Sequence, residues 1–128
     1  MKSKKTAIIV FAYNRPSHLK RVLIAVENSK IKNDIYLIID GAKNEIDSVN
    51  QKDIVLSIKR FKKNLYKIIK RKKNLGLVQS IVQGINYVTK KYDSIIVLED
   101  DVIPYKGFFG FILKSLKKFQ HDDNISAI

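Results

Sequence analysis

Residues 6–12 read Thr6, Ala7, Ile8, Ile9, Val10, Phe11, Ala12, and the chain then turns polar at Tyr13, Asn14, Arg15 and Pro16. A continuous apolar run rich in β-branched residues reads as a strand covered on both faces, and Asn-Arg-Pro is a turn signal that ends it. Pro16 suits the first turn of a helix, and Leu19, Val22, Leu23 and Val26 then recur at helical spacing. Asn28 and Ser29 begin its exit.

The same strand-then-helix unit repeats along the chain. Residues 35–39 form a second all-apolar strand closed by Asp40 and Gly41, and a polar loop runs to about Asp47. Asp47 or Ser48 caps a helix expected to reach about Lys62, offering Val49, Val55, Leu56 and Ile58 for burial. Residues 65–70 read as a short third strand near a sheet edge, because lysines flank its apolar positions. After Asn74, Leu75 and Gly76 comes a helix with Val78, Ile81, Val82, Ile85 and Val88 as its core stripe. A fourth strand is expected at 94–98, a last helix at 108–119, and the start of a further strand at 125–128.

Strand and helix alternate throughout, which predicts a mostly parallel sheet with helices on both faces, a Rossmann-like three-layer α/β sandwich. In such sheets ligands bind beyond the carboxyl ends of the strands, where the strand order reverses. The chemically distinctive residues fall at these ends: Tyr13, Asn14 and Arg15; Asp40 and Gly41; Asn74 and Gly76; and Glu99, Asp100 and Asp101.

At 128 residues, 45% of them hydrophobic, the chain is sized and composed for a single domain with a real core. It contains no cysteine, which excludes disulfides, thiolate nucleophiles and Cys-based zinc sites. The basic residues 1–5 and the apolar run behind them imitate a signal peptide. Asn14 and Arg15 interrupt that run, however, and no small-residue cleavage site follows. No segment approaches the ~20 apolar residues of a membrane span. A cytoplasmic protein is expected, with peripheral membrane contact open.

Twenty-five Lys and Arg face twelve Asp and Glu, a net charge of +13 that favours phosphate-bearing ligands or anionic surfaces. The excess concentrates in Lys59, Arg60, Lys62, Lys63, Lys67, Lys70, Arg71, Lys72 and Lys73, with no acid between them. Few aromatics interleave these bases, which argues against nucleic acid and for a solvated surface. His18 and His121 lie on polar stretches without partner ligands and read as surface residues.

In so basic a chain, three consecutive carboxylates after the fourth strand repel one another unless a cation or hydroxyl donors sit among them. Asp100 and Asp101 offer hard oxygen ligands suited to Mg²⁺ or Mn²⁺, which complete their shells with water and substrate phosphates. Arg15 carries a planar fork for a phosphate or base edge, and Asp40 can accept hydrogen bonds from a base or ribose. Gly76 opens a helix whose free N–H groups can meet an anion.

These pieces, IIVFAYNRPSHLKRVL, LIIDGA, KNLGLVQSIVQGINY and IIVLEDDVIP, stand in the order used by the nucleotide-binding half of GT-A glycosyltransferases. The chain resembles those enzymes over residues 6–128, family 2 most broadly. Its Glu99, Asp100, Asp101 triplet is similar to the E-D-D form of the DXD motif in N-acetylglucosaminyltransferase I-like enzymes. The resemblance implies that Tyr13, Asn14, Arg15 and Asp40 line the base and that Asp100 contacts ribose or sugar hydroxyls. It makes Asp101 the direct ligand of Mn²⁺ or Mg²⁺, puts Glu99 in support, and sets Gly76 and Ser80 beside the donor.

The implied function is binding of a nucleoside-diphosphate sugar, a UDP-sugar first, as the donor half of an inverting glycosyltransferase in polysaccharide or glycoconjugate synthesis. The acceptor would be a glycan or a lipid-linked glycan. In that pattern the catalytic base and the acceptor-binding half follow the metal motif, so the chain reads as truncated at Ile128. A sugar-phosphate nucleotidyltransferase would share the sheet and the acids, but it carries a Gly-rich loop and a basic residue where this chain has FAYNRP. A phosphoacceptor receiver domain would put its acid pair after the first strand. A non-catalytic binder of anions or nucleic acid rests on the Lys59 to Lys73 run alone.

Overall fold

The computed structural model describes residues 6–128; the basic start at residues 1–5 lies outside the described residues. Four strands alternate with four helices: β1 Thr6–Ala12, α1 Pro16–Asn28, β2 Ile35–Ile39, α2 Glu45–Ile58, β3 Lys67–Lys70, α3 Leu77–Thr89, β4 Ser94–Glu99 and α4 Phe108–Phe119. The sheet has the order β3-β2-β1-β4, and every adjacent pair is parallel. β1 is central, with Ile8 opposite Ile35 on one side and Ile96 on the other.

That central place explains why residues 7–12 of β1 are all buried and apolar: alternate side chains feed two separate cores. Ile8, Val10 and Ala12 join Leu37, Ile39 and Leu98 beneath α1, α2 and α4, where Leu19, Val22, Leu23, Val26, Ile54, Ile58 and Phe109 pack. Ala7, Ile9 and Phe11 join Tyr36, Ile38, Val88 and Tyr92 beneath α3. Each large apolar side chain so removed from water contributes about 1.5–3 kcal/mol. The three-layer α/β expectation therefore holds.

Several local expectations change. α2 starts two residues before the expected cap, because Asn44 is the cap, accepting the Asp47 N–H at 2.9 Å. The helix ends at Ile58 and gives way to a 3-10 turn, Lys59–Phe61, which delivers Phe61 to the core. Its buried face is Asp47, Gln51, Ile54 and Ile58, while Val49 and Leu56 point to solvent. Of the expected α3 stripe, Val88 is buried and Ile81 and Ile85 pack against the core, whereas Val78 and Val82 are exposed and Ser80 and Gly84 take their place nearest the sheet. A Cβ on Gly84 would lie 2.6 Å from the Phe11 ring, so glycine is what lets this helix approach β1.

β3 is shorter than expected but does lie at the sheet edge. β4 runs one residue further, so Glu99 ends the strand. Residues 125–128 form no strand: Ile125 is held in a turn by its N–H to Asp122 O, 3.0 Å, and these residues join no ladder among the described residues.

Candidate functional site

From β1 the chain crosses to β2 and β3 on one side, then returns to place β4 on the other. The reversal puts α3 on the face opposite α1, α2 and α4, and a crevice opens at the carboxyl end of the sheet. A cavity of about 440 Å³ occupies it, with Phe11, Ala12 and Ile81 among its apolar lining. The lining also includes Tyr13, Asn14, Arg15, Asp40, Gly76, Ser80, Glu99 and Asp100, eight of the nine residues singled out in the sequence. Asp101, the ninth, reaches the same place through Arg15.

Asp40 closes β2 and is buried, with both carboxylate oxygens engaged. Oδ1 accepts the N–H groups of Gly41 and Leu75, both at 2.9 Å. Oδ2 accepts the Gly76 N–H at 3.0 Å and Asn74 Nδ2 at 3.2 Å. The anion met by the backbone before α3 is thus Asp40 itself. Asn74 Nδ2 also donates to Gly41 O at 2.7 Å, locking the two loops together. Gly41 permits this approach: a Cβ there would stand 2.3 Å from the Lys73 carbonyl carbon. Gly76 has φ +81°, a conformation that favours glycine.

A second latch ties the β1 loop to α2. Asp47 accepts hydrogen bonds from Tyr13 OH and from Asn14 Nδ2, the latter at 2.7 Å, and from the Lys43 N–H at 3.1 Å. These donors, Tyr13 first and Asn14 next, hold the Asp47 carboxyl below its ordinary range. Burial and the adjacent Asp47 charge together push the Tyr13 phenol above its own. Gln51, buried one turn on, donates from Nε2 to Tyr13 O at 3.0 Å and Asp40 O at 2.7 Å, bridging the ends of β1 and β2. Tyr13 and Asn14 therefore line the cavity while their polar tips turn toward α2.

The third group is acidic. Arg15 Nη2 lies 2.5 Å from Asp100 Oδ1 and Nη1 lies 3.1 Å from Asp101 Oδ2. The Asp100 side chain is only 4% exposed, whereas Arg15 and Asp101 are each 43% exposed. Partial burial opposes the charge on Arg15, but Asp100 and Asp101 outweigh it and raise the guanidinium above its usual range. Glu99 is exposed at the strand end and Ser80 is buried on α3.

Among the described residues no three His, Asp or Glu side chains form a ready-made metal cage. A Mg²⁺ or Mn²⁺ site built on one or two carboxylates plus substrate phosphates needs no such cage. Asp100 and Asp101 already converge on one cationic group, so their oxygens fit that donor set.

Asp47, Gln51 and Lys43 contribute to the site without having been assigned to it from sequence, and Asn74, noted there only as a strand-end residue, locks two of its loops. The Asn44 to Asp47 spacing of a helix cap was a readable signal for Asp47. Gln51 carried none, since a glutamine inside a helix reads as solvent-facing. Lys43 joins the cavity lining from a loop that sequence reading treats as merely polar.

A parallel α/β domain with a cavity at its switch point, walled by loop-holding carboxylates and an acidic pair, has its pocket where doubly wound α/β proteins bind their ligands. The model of glycosyl transferase family 2 matches residues 7–128, and the chain belongs to that family. No curated protein matches the chain. Family membership brings with it a nucleotide-sugar-binding role, with a donor and an acceptor as the general substrate classes. No helix among the described residues is long and apolar enough to cross a membrane.

Proposed function

We propose that the cavity at the ends of β1, β2 and β4 takes a nucleoside-diphosphate sugar, a UDP-sugar first, and that Asp101 with Asp100 holds Mn²⁺ or Mg²⁺ against its diphosphate. The observation that carries this reading is the convergence of Asp100, Asp101 and Arg15 at a cavity with an apolar lining of nucleoside size. The apolar patch of Phe11, Ala12 and Ile81 suits a base, and Lys43 and Arg15 supply positive charge for phosphates.

Asp40 faces the base with its acceptors filled by the Asn74 to Gly76 loop. A base N–H would exchange for Asn74 Nδ2, the longest of the four bonds. Gly76 and Ser80 form the wall nearest the donor, and Glu99 supports the acidic pair or meets a sugar hydroxyl. The metal, when bound, stabilises the charge that develops on the departing nucleoside diphosphate. Were a cation to take the place of Arg15 between Asp100 and Asp101, the guanidinium would be free to turn to the phosphates. Transfer proceeds with inversion by direct displacement, and a carboxylate outside these residues deprotonates the hydroxyl of a glycan or lipid-linked acceptor.

Calorimetric titration of UDP, GDP and their sugar conjugates, with and without Mn²⁺, tests this on the chain and on Asp101→Ala. Uridine nucleotide binding that Mn²⁺ tightens and Asp101→Ala abolishes is the expected result. Binding indifferent to metal, or no nucleotide binding at all, overturns it.

A further inference from the structure

α2 is amphipathic the wrong way round. Its buried face carries Asp47 and Gln51, while Ile46, Val49 and Leu56 are 73%, 55% and 60% exposed. These three recur at 46, 49 and 56, one face of a helix, and no element among the described residues covers them. The stripe runs directly into the 3-10 turn and the acid-free basic run: Lys59, Arg60, Lys62, Lys63, Lys67, Lys70, Arg71, Lys72 and Lys73. β3 is an outer strand and the run brackets it, with Lys67 and Arg71 turned to Tyr87 and Ser80 O of α3, on the sheet face opposite α2, and the other basic residues left to the edge.

One or two lysines suffice to guard a sheet edge. Here eight of the nine basic residues are exposed, and among the described residues only Arg60 is in an ion pair, with Glu27 at 2.9 Å. Lys67 donates to the Tyr87 hydroxyl, which leaves its charge uncompensated. Tyr66, an amphipathic ring, is also exposed within the run.

We infer that this flank, the outer face of α2 and the basic run behind it, docks on an anionic lipid bilayer. Apolar side chains in a line with cations behind them match the acyl and headgroup layers of a membrane surface. Nucleic acid would ask for aromatic rings interleaved with the bases, and it gives the apolar stripe nothing to do. Glu45 and Asp53 are the exposed acids of α2; Asp53 stands on the stripe itself, one turn from Val49 and from Leu56, and the two acids are outnumbered by the cations. Ile46 adjoins Asp47, the residue that holds Tyr13 and Asn14, so the stripe begins at the rim of the cavity. A bilayer on this flank sets the cavity beside the headgroups.

Co-sedimentation tests this on the unliganded chain, with phosphatidylcholine vesicles alone or containing about one third phosphatidylglycerol. Binding to the anionic vesicles alone, weakening as salt is raised, is expected. Neutralising Lys62, Lys63, Lys72 and Lys73 to Ala lowers the partition coefficient about fivefold per lysine, several hundredfold together. The variant with Ile46, Val49 and Leu56 changed to Ser lowers it at least about tenfold. Circular dichroism checks that both variants, altered only at exposed positions, remain folded. Failure to bind anionic vesicles overturns the inference, as does equal binding by either folded variant. Salt-sensitive RNA binding without vesicle binding overturns it in favour of nucleic acid.

Discussion

Replacing Asp40 with asparagine isolates what a buried carboxylate does at the end of β2. The native group accepts four hydrogen bonds, two on each oxygen, three of them from backbone N–H groups. Asparagine retains one acceptor oxygen, so in either orientation of the amide two donors face an NH₂ group. Hydrogen bonds to a charged group are each worth about 1.5–3 kcal/mol, so losing two costs about 3–6 kcal/mol. With a slope of roughly 2 kcal/mol per M, the urea midpoint falls by about 1.5–3 M. Asn74→Ala removes one of those donors and its 2.7 Å bond to Gly41 O. The two changes share a network and should be non-additive in a double-mutant cycle. Asp101→Asn, half-exposed, serves as the surface control and costs at most about 1 kcal/mol. An Asp40→Asn variant within about 1 kcal/mol of that control would refute the reasoning, since the loop would then be held by something other than this carboxylate.

Two further outcomes follow from the other latches. Arg15→Met leaves Asp100 buried without its cation, but the half-exposed guanidinium is partly screened, so the expected cost is about 1–2 kcal/mol in urea unfolding. Adding Asp100→Asn should recover part of that loss, and an unaltered deficit would mean the pair is not what the arginine serves. For Asp47 the prediction concerns pH: its carboxyl is held below the ordinary value of 3.8, so it stabilises the fold above that pH and the contribution disappears as pH falls through the lowered value. The stability gap between the native chain and Asp47→Asn should therefore be constant at neutral pH and close in acid, measured by urea midpoints across the range; a gap independent of pH contradicts it.

Legibility in the sequence tracked how apolar each buried face is. β1, β2 and α4 have the bounds expected from sequence, because their buried positions are apolar: a continuous run marks each strand and helical spacing marks α4. α2 misled because half of its buried stripe is Asp47 and Gln51, so its two buried apolar residues, Ile54 and Ile58, did not outweigh the exposed Val49 and Leu56. α3 was legible in part: Ile81, Ile85 and Val88 pack as expected, but its closest approach to the sheet is made by Ser80 and Gly84, whose small size is the condition for contact and leaves no apolar signature. The cavity residues were legible as strand-end oddities. The hydrogen bonds among them were not, since they join residues more than thirty positions apart.

What separates the carboxylates of this site is the kind of partner each has, more than how deeply each is buried. Asp40, Asp47 and Asp100 are all nearly inaccessible. Asp40 is held mainly by backbone N–H groups, and Asp47, in the first turn of α2, by one such group and the side chains of Tyr13 and Asn14 from the loop after β1, so releasing either means moving a loop. Asp100 and Asp101 are held by a guanidinium on a long, half-exposed side chain that can rotate away without disturbing the backbone. An incoming cation competes with Arg15 for the acids, and an incoming phosphate with the acids for Arg15, at the cost of one rotamer, whereas at Asp40 a new partner competes with the fold. Exchange chemistry therefore belongs to the Asp100 and Asp101 end of the cavity, and shape belongs to the Asp40 and Asp47 end.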